Sequence, residues 1–360
     1  MSRPKVLFVS GEYPPMPGGV GDYTANLRMA LAAMGVRSAV LASGRATGED
    51  VWTVRRWAWS SIASVLRRAR REQVDIVHIQ YQTGAFDMHP ALNVLPSIVA
   101  RRLPVVTTFH DLRVPYLFPK AGRLRKSAIV RTARGSDAVI VTNPADGRAL
   151  GNEGVAVTQI PIGPNLPPPG PVAVGDEQTV AFFGFPARSK GILDLVEALA
   201  QLPEPRPGLT LIGAQGEPGA GNDVVPAGEF DTLAARAGIA IQRTGYLTPA
   251  AASAALAQAT VIALPFADGA SLRSGSLLAA LQSGRPVVTT APRTASDLAE
   301  LATMPQLLLV PRGDRIGLAT AIARGLNWTG QPASLPASFR WQTIAEAHVA
   351  LYRQLLDARR

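Results

Sequence analysis

A loop rich in glycine and serine is the strongest indication of chemistry in this sequence. It follows a predicted strand and carries Arg273 directly before Ser274, Gly275 and Ser276, where a helix is predicted to begin. The first turn of a helix presents backbone N–H groups without intrahelical acceptors, and the aligned peptide dipoles add positive potential there. The pattern therefore predicts a phosphate-binding site at the start of this helix.

Two more cations lie in a second strand-to-helix turn. Gly184 ends a predicted strand, and Arg188 and Lys190 follow it, just before a helix predicted over Ile192–Gln201. Fixed cations stabilise the negative charge that grows on a departing diphosphate. The alternative is a pair of ordinary surface residues. Lys190 is one of only four lysines in the chain and lies beside a glycine, which favours the functional interpretation.

The first half of the chain offers a histidine and a glycine pair. His110 and Asp111 end a buried predicted strand, and ligands of parallel sheets bind beyond the carboxyl ends of the strands. A histidine there could donate a hydrogen bond to a ligand hydroxyl, with Asp111 orienting the imidazole, or it could be a packed core residue. Gly18 and Gly19 follow the first strand and allow close approach of the backbone to a ligand, although such turns are also common as plain chain reversals.

Short β-branched runs alternate with helical segments along the whole chain, which predicts an α/β fold. The alternation restarts after a proline-rich segment, 161–171, so we expect two Rossmann-like, doubly wound parallel-sheet domains facing across a cleft. The predicted domains are residues 1–165 and 166–338, followed by a C-terminal helix, 339–360, that packs back on the first domain. The predicted strands are Val6–Ser10, Ser38–Leu41, Asp75–Gln80, Val105–Phe109, Ala138–Thr142, Thr179–Phe183, Leu209–Ile212, Ala240–Arg243, Val261–Leu264, Val287–Thr290 and Leu307–Val310.

Composition narrows the classes of partner and location. The 360 residues contain no cysteine and no apolar run long enough to span a bilayer, which indicates a cytoplasmic protein. The formal charge of +10 favours an anionic partner or simply a solvated basic surface. The arginine- and tryptophan-rich segment Val54–Arg71 is typical both of a helix lying on the inner face of a membrane and of an ordinary core-facing helix. No basic–aromatic nucleic-acid module and no metal-ligand spacing occur, so neither nucleic acid nor a metal cofactor is expected.

Taken together, these motifs resemble retaining glycosyltransferases of the GT-B fold, specifically glycosyltransferase family 4. Each motif is weak by itself, but their order and spacing are fairly specific over essentially the whole chain. The residues that carry the resemblance are Pro14-Pro15 with Gly18-Gly19, Asp75–His78, Thr108–Asp111, Gly184 to Gly191, Thr244–Leu247, Gly284–Val288 and Phe339–Arg353.

The resemblance implies a metal-independent, hexosyltransferase-like enzyme of polysaccharide biosynthesis. It would move a sugar from a nucleoside-diphosphate sugar, bound by the second domain, to a glycan or lipid-linked acceptor, bound by the first. The implied catalytic residues are His110, Arg188, Lys190 and Asp268. The implied donor-binding residues are Gly18, Gly19, Gly184, Gly245, Tyr246, Arg273, Ser274, Gly275 and Ser276.

Two acidic positions depart from the family pattern. The family usually carries two glutamates, eight residues apart, before the Gly-x-Pro turn, and these positions hold Ser271 and Ala279 here. Asp268 is predicted to replace the first glutamate. The arginine that usually follows Gly184 is Phe185, and Arg188 or Arg273 would supply its charge. These departures leave open a non-catalytic GT-B binding protein, and they leave the donor sugar and base undetermined.

Overall fold

The computed structural model describes residues 3–16, 18–112, 122–171, 177–213 and 223–359. The chain folds into two compact units, each built on its own parallel sheet. Unit 1 consists of Met1–Gly163 and Ala337–Arg360, and unit 2 of Pro164–Pro336. The strand–helix alternation therefore predicted the α/β class and the two sheets correctly.

Unit 1 is built around a seven-stranded parallel sheet in the order β3-β2-β1-β4-β5-β6-β7. Its central strands are buried on both faces, which is why they are rich in valine and isoleucine. The elements are β1 (Lys5–Ser10), α1 (Gly19–Ala33), β2 (Arg37–Ser43), β3 (Val51–Val54), α2 (Trp59–Arg71), β4 (Ile76–Tyr81), α3 (Ala91–Val99), β5 (Val105–Phe109), α4 (Gly122–Arg134), β6 (Ala138–Val141), α5 (Pro144–Gly151) and β7 (Thr158–Gln159).

Unit 2 repeats the plan with a six-stranded parallel sheet in the order β10-β9-β8-β11-β12-β13. The order reverses between β8 and β11, and the loops that leave these two strands diverge to opposite faces of the sheet. The elements are β8 (Thr179–Phe183), α6 (Ile192–Leu199), β9 (Gly208–Ile212), α7 (Ala227–Arg236), β10 (Ile241–Arg243), α8 (Pro249–Gln258), β11 (Val261–Leu264), α9 (Gly275–Gln282), β12 (Val287–Thr290), β13 (Leu307–Val310) and α10 (Arg315–Leu326).

The last helix, α11 (Trp341–Asp357), returns to unit 1 and packs on α1. Its apolar stripe predicted a buried face, and Ile344, Val349 and Tyr352 are indeed buried. Tyr352 is also hydrogen-bonded to the sheet, because its hydroxyl oxygen lies 2.6 Å from Nδ1 of His78 on β4. Within the described ranges, no helix is both long enough and apolar enough to cross a bilayer.

Candidate active site

The carboxyl edge of the unit 2 sheet brings the predicted phosphate-binding loops together. The loop after β8 joins the loop after β11 through a hydrogen bond of 2.9 Å from the Ala267 N–H to the Ser189 carbonyl. It joins the end of β9 through a bond of 2.9 Å from the Gly184 N–H to the Ile212 carbonyl. Both loops start at the strands that flank the reversal of strand order, which is where α/β sheets bind ligands.

Lys190 lies over the backbone of Gly184. It ends a short 3₁₀ turn, Arg188–Lys190, and the next residue, Gly191, has a φ of +69°. A Cβ atom built on Gly184 would lie 2.4 Å from the Lys190 Nζ, so a side chain at this position would displace the ammonium group. Burial lowers the pKa of Lys190, and the carboxylate of Asp223 partly opposes this effect.

No hydrogen bond or ion pair of the Lys190 side chain occurs within the described residues. Asp223 instead accepts a hydrogen bond of 2.9 Å from the Ser189 N–H, and it bonds the Ser189 hydroxyl as well. A half-buried cation without a hydrogen bond or ion pair to the described part of the chain is unfavourable in the unliganded protein, and an anion would remove the penalty. Lys190 is therefore poised to bind a negatively charged group.

Arg188 is exposed and already has an acidic partner. Its Nη2 lies 2.8 Å and 2.6 Å from the two carboxylate oxygens of Glu229 on α7. Glu229 is 41 positions away in sequence, so the motif alone did not indicate this pairing. The ion pair offsets the charge of Arg188, and Lys190 is the stronger candidate of the two predicted cations.

The start of α9 has the geometry expected of an anion site. Ser274 is the N-cap residue, and its hydroxyl accepts from the Leu277 N–H at 3.4 Å and lies 3.1 Å from the Ser276 hydroxyl. The backbone N–H groups of Gly275 and Ser276 have no acceptor in the described part of the chain. Arg273, directly before the cap, is only partly exposed. Two amides and two hydroxyls therefore lie at one helix terminus.

The structure shows the surroundings of Ala279 and Asp268, the two residues considered in place of the family's glutamates. Ala279 is buried in α9 at 4% exposure, so it presents no polar group to a ligand. Asp268 lies in the loop after β11, where its carboxylate is 2.7 Å from the Arg293 guanidinium. Its replacement of the family's first glutamate stays a prediction.

Gly245 and Tyr246 follow β10 at the same edge of the sheet. Gly245 has a φ of +67° and forms a β-bridge with Gly213, the residue that follows β9. Tyr246 is 76% exposed, which is unusual for a large aromatic side chain. Both are available to a planar ligand such as a nucleobase.

In unit 1, a carboxylate of the chain itself occupies the glycine-rich turn. Glu12 Oε1 accepts hydrogen bonds from the N–H groups of Val20 at 2.8 Å and Gly21 at 3.1 Å, in the first turn of α1. A Cβ atom on Gly18 would lie 2.1 Å from the Glu12 carboxyl carbon, so a larger residue here would displace the carboxylate from the amides. Burial raises the pKa of Glu12 although both amides stabilise its charged form. The predicted role of Gly18 and Gly19 toward a phosphate stays a prediction.

His110 lies at the carboxyl end of β5 and is oriented by a residue that the sequence pattern did not indicate. Its Nε2 is 2.7 Å from Oε1 of Gln80 at the end of β4, whereas Asp111 makes no hydrogen bond to the ring. The ring of Tyr23 packs edge-on against it, with the centroids 4.8 Å apart. Burial, together with the nearby His348, lowers the pKa of His110 to about 3, so the imidazole is neutral at physiological pH.

Two family models match this sequence, one in each half. Residues 17–166 match the model for Glycosyltransferase Family 4, and residues 177–327 match the model for Glycosyl transferases group 1. The chain belongs to glycosyltransferase family 4. No curated protein matches the sequence.

Solved structures confirm the GT-B fold of this family 4 glycosyltransferase. Sucrose-phosphate synthase from Thermosynechococcus elongatus is similar at a TM-score of 0.76 and 20% identity, over 99% of this chain and 100% of the other. Anabaena HepE, solved with UDP-glucose, is similar at a TM-score of 0.69 and 19% identity, over 99% of both chains. A glycosyltransferase from Rickettsia africae has a TM-score of 0.63 and 15% identity, over 100% of this chain and 97% of the other. At these identities the likeness establishes the fold alone.

Proposed function

We propose that this protein is a retaining glycosyltransferase that moves a sugar from a nucleoside-diphosphate sugar to a glycan or lipid-linked acceptor. The observation that carries the proposal is the Lys190 ammonium group, which is half-buried over Gly184 without a partner among the described residues. The loop that holds it is hydrogen-bonded to the loop that leads to the N-terminal amides of α9. A diphosphate matches this combination of one fixed cation and several aligned donors.

UDP is the proposed nucleotide. The Anabaena HepE structures contain UDP, UDP-glucose, or UDP with glucose, and a further similar structure is described as a UDP-forming trehalose-phosphate synthase from Burkholderia vietnamiensis. The exposed Tyr246 and the backbone at Gly245 are the proposed contacts for the base. GDP- and ADP-sugars are the competing donors, and a thermal-shift panel of the three nucleotides separates them because a bound ligand raises Tm by mass action.

The chemical step follows from the charge that develops on the donor. As the bond from the anomeric carbon to the diphosphate breaks, negative charge accumulates on the diphosphate oxygens. Lys190 and the amides of Gly275 and Ser276 stabilise that charge most strongly in the transition state, which lowers the barrier. The acceptor oxygen bonds the anomeric carbon on the face that the diphosphate leaves, and the acceptor proton passes to a diphosphate oxygen. The anomeric configuration is therefore retained.

An assay of the product tests this function. Purified protein is incubated with UDP-glucose and a set of glycan and lipid-linked acceptors, UDP release is measured, and the anomeric configuration of the product is read from its proton NMR couplings. An α-linked product from an α-linked donor supports retention. A β-linked product contradicts the mechanism, and an absence of nucleoside-diphosphate release from UDP-, GDP- and ADP-glucose alike contradicts the function.

A non-catalytic binding protein is the second candidate, favoured by a specific observation. The two usual acidic positions provide no unengaged carboxylate, because Ala279 is a buried methyl group and the nearest acid, Asp268, is ion-paired with Arg293. Slow hydrolysis of UDP-glucose by the purified protein distinguishes the candidates. Hydrolysis that is lost on substitution of Lys190 identifies an enzyme, whereas tight UDP binding without hydrolysis or transfer identifies a binding protein.

One face of α2 supports peripheral contact with an anionic membrane, as a lipid-linked acceptor would require. Trp59 is 58% exposed at the start of the helix. Five arginines of α2 or of the segment before it are exposed and form no ion pair with any described residue; they are Arg55, Arg56, Arg67, Arg70 and Arg71. An aromatic side chain within a cluster of cations suits the surface of an anionic bilayer. The opposite face of α2, with Val65 and Ala69, packs in the core of unit 1.

Vesicle co-sedimentation tests the membrane contact. The protein is expected to sediment with vesicles that contain phosphatidylglycerol but not with vesicles of pure phosphatidylcholine. In 0.5 M salt the Debye length is about 4 Å, and this screening is expected to release the protein from the vesicles. Arg67→Glu with Arg70→Glu should abolish sedimentation. Met29→Ser, at another exposed apolar residue of unit 1, is the matched control. Equal sedimentation with both vesicle types contradicts the contact.

A further inference from the structure

A row of polar side chains crosses the interior of unit 1 and ends at His110. In the parallel register of β4 and β5, His78 pairs with Val106 and Gln80 pairs with Thr108. Side chains two positions apart lie on the same face of a strand, so His78, Gln80, Thr108 and His110 share one face of the sheet. The first three of these are fully buried. Parallel strands that are covered on both faces of the sheet normally carry apolar side chains at such positions.

The row is divided into two hydrogen-bonded pairs. His78 is held between two hydroxyl groups, with Nδ1 at 2.6 Å from the Tyr352 oxygen and Nε2 at 2.7 Å from Thr108 Oγ1. Gln80 and His110 form the second pair, through Oε1 and Nε2 at 2.7 Å. The pairs are separate, so a substitution in one need not disturb the other.

We propose that Gln80 is a positioning residue that fixes the tautomer of His110. An amide oxygen only accepts hydrogen bonds, so the contact requires the proton of the neutral imidazole on Nε2. Nδ1 then carries the lone pair and accepts a hydrogen bond from a sugar hydroxyl. The tautomer is a property of the protein alone, whereas its consequence for turnover rests on the proposed function.

His110 is only partly exposed, so a single hydrogen-bond partner is decisive for its ring. Tyr23 covers the His110 ring edge-on, and no other hydrogen bond of the ring occurs within the described residues. The second arm of Gln80, Nε2, is buried and has no acceptor there. A buried polar arm without a partner is unfavourable, so packing alone would favour an apolar residue at this position. The amide oxygen is therefore the side-chain atom of Gln80 that makes a specific contact, the hydrogen bond with His110.

The tautomer can be measured without substrate. In 15N-histidine-labelled protein, two-bond proton–nitrogen correlations distinguish an Nε2–H from an Nδ1–H imidazole, and His110→Asn identifies the signals of His110 among four histidines. We expect the Nε2–H form from pH 8 to pH 5, because burial and His348 lower the pKa of His110 to about 3. An Nδ1–H form, or a mixture of both forms, overturns the proposal.

Two substitutions of Gln80 test the contact from opposite directions. Gln80→Leu removes the acceptor, and the His110 signals should become those of a tautomer mixture. Gln80→Glu places a carboxylate at the same atom, which should raise the pKa of His110 to about 4 to 6. The other titratable groups around the ring are Tyr23 on α1, His78 on β4, and His348 and Tyr352 on α11, with Asp111 next in the chain.

Thr108→Val is the matched control. Thr108 is as buried as Gln80 and lies beside it on β5, but its hydroxyl bonds His78. This variant should lose stability and retain the Nε2–H form of His110. If Thr108→Val alters the His110 signals as Gln80→Leu does, or if Gln80→Leu and Gln80→Glu leave them unchanged, Gln80 is not the residue that fixes the tautomer.

The turnover number and UDP affinity of the Gln80 variants are a second measurement of the proposed positioning role. Gln80→Leu should lower kcat by about 10- to 100-fold through misplacement of the ring, while UDP affinity remains within about twofold of wild type. Gln80→Glu should give transfer a decline toward acidic pH, near the raised pKa, that wild type lacks. An unchanged kcat in Gln80→Leu overturns the positioning role. If wild type shows the Nε2–H form but no transfer, the proposed function fails and the assignment of the tautomer stands.

Discussion

Replacement of Lys190 by methionine should move stability and activity in opposite directions. Methionine approximates the length of the lysine side chain without its charge. In the unliganded protein the ammonium group is half-buried over Gly184, and burial lowers its pKa against the weaker attraction of Asp223. The charge of Lys190 therefore destabilises the unliganded folded protein, and a bound anion removes this destabilisation. The variant removes both the destabilising charge and the contact with the ligand.

The two effects differ in size. For folding, removal of a partly desolvated cation without a partner should raise the free energy of unfolding by about 1 kcal/mol, which corresponds to roughly 2 to 4 °C in Tm for a domain of this length. For catalysis, a unit charge about 4 Å from the ammonium group contributes about 4 kcal/mol at an effective dielectric constant of 20. Loss of one such contact in the transition state should lower kcat/KM by about 100- to 1,000-fold.

The assay combines thermal unfolding with UDP release from UDP-glucose. Lys126→Met is the control, because Lys126 is an exposed lysine of unit 1 that pairs with Glu153. It should leave kcat/KM unchanged and should not raise Tm. The reasoning is refuted if Lys190→Met retains transfer within about threefold of wild type, or if it lowers Tm, since an unfavourable buried charge cannot also stabilise the fold.

Three further predictions concern neighbouring groups. Gly184→Ala should lower turnover by more than about tenfold, since its Cβ would meet the Lys190 Nζ at 2.4 Å. Gly313→Ala is the control, because Gly313 also has a positive φ but lies in open space, and this variant should keep wild-type turnover. Equal activities of the two variants would contradict the contact. Asp268→Asn should lose far more turnover than Ser271→Ala if Asp268 replaces the family's first glutamate; equal, mild losses in both variants would exclude that role. Asp22→Asn should unfold at a higher temperature than wild type at pH 7.5 and at the same temperature at pH 3.5. Burial and the charge of Glu12 raise the pKa of Asp22 to about 6, so this group contributes stability that is lost as pH rises from about 4 to 6; a constant difference in Tm would contradict that linkage.

The sequence predicted the central strands and missed two at the edge of the unit 1 sheet. Central strands bury both faces and are therefore mostly apolar, which makes them easy to recognise. β3 is only partly buried and includes an exposed threonine, and β7 consists of two exposed residues, Thr158 and Gln159. Edge strands of this kind form because their neighbours offer backbone partners, and that information is absent from the local pattern.

The loops that hold the candidate residues could be predicted from the sequence, but the hydrogen-bond and ion-pair partners of those residues could not. Lys190 was indicated by its rarity and by the adjacent glycine, and the start of α9 by its serines and glycine. The pairing of Arg188 with Glu229, the contact of Glu12 with the first turn of α1, and the bond between Gln80 and His110 depend on how the chain folds back on itself. Glu12 lies only eight residues before Val20, and an acidic residue that precedes a glycine-rich helix start is the signal that could have indicated this contact.

Calorimetric titration of UDP into wild type and Lys190→Met tests the central claim most directly. The claim is that the half-buried ammonium group and the α9 amides together bind a diphosphate. We predict that wild type binds UDP with an affinity that falls as salt rises, and that Lys190→Met binds it at least about 30-fold more weakly. Equal affinity of the two proteins for UDP would show that the diphosphate is bound elsewhere and would contradict the account.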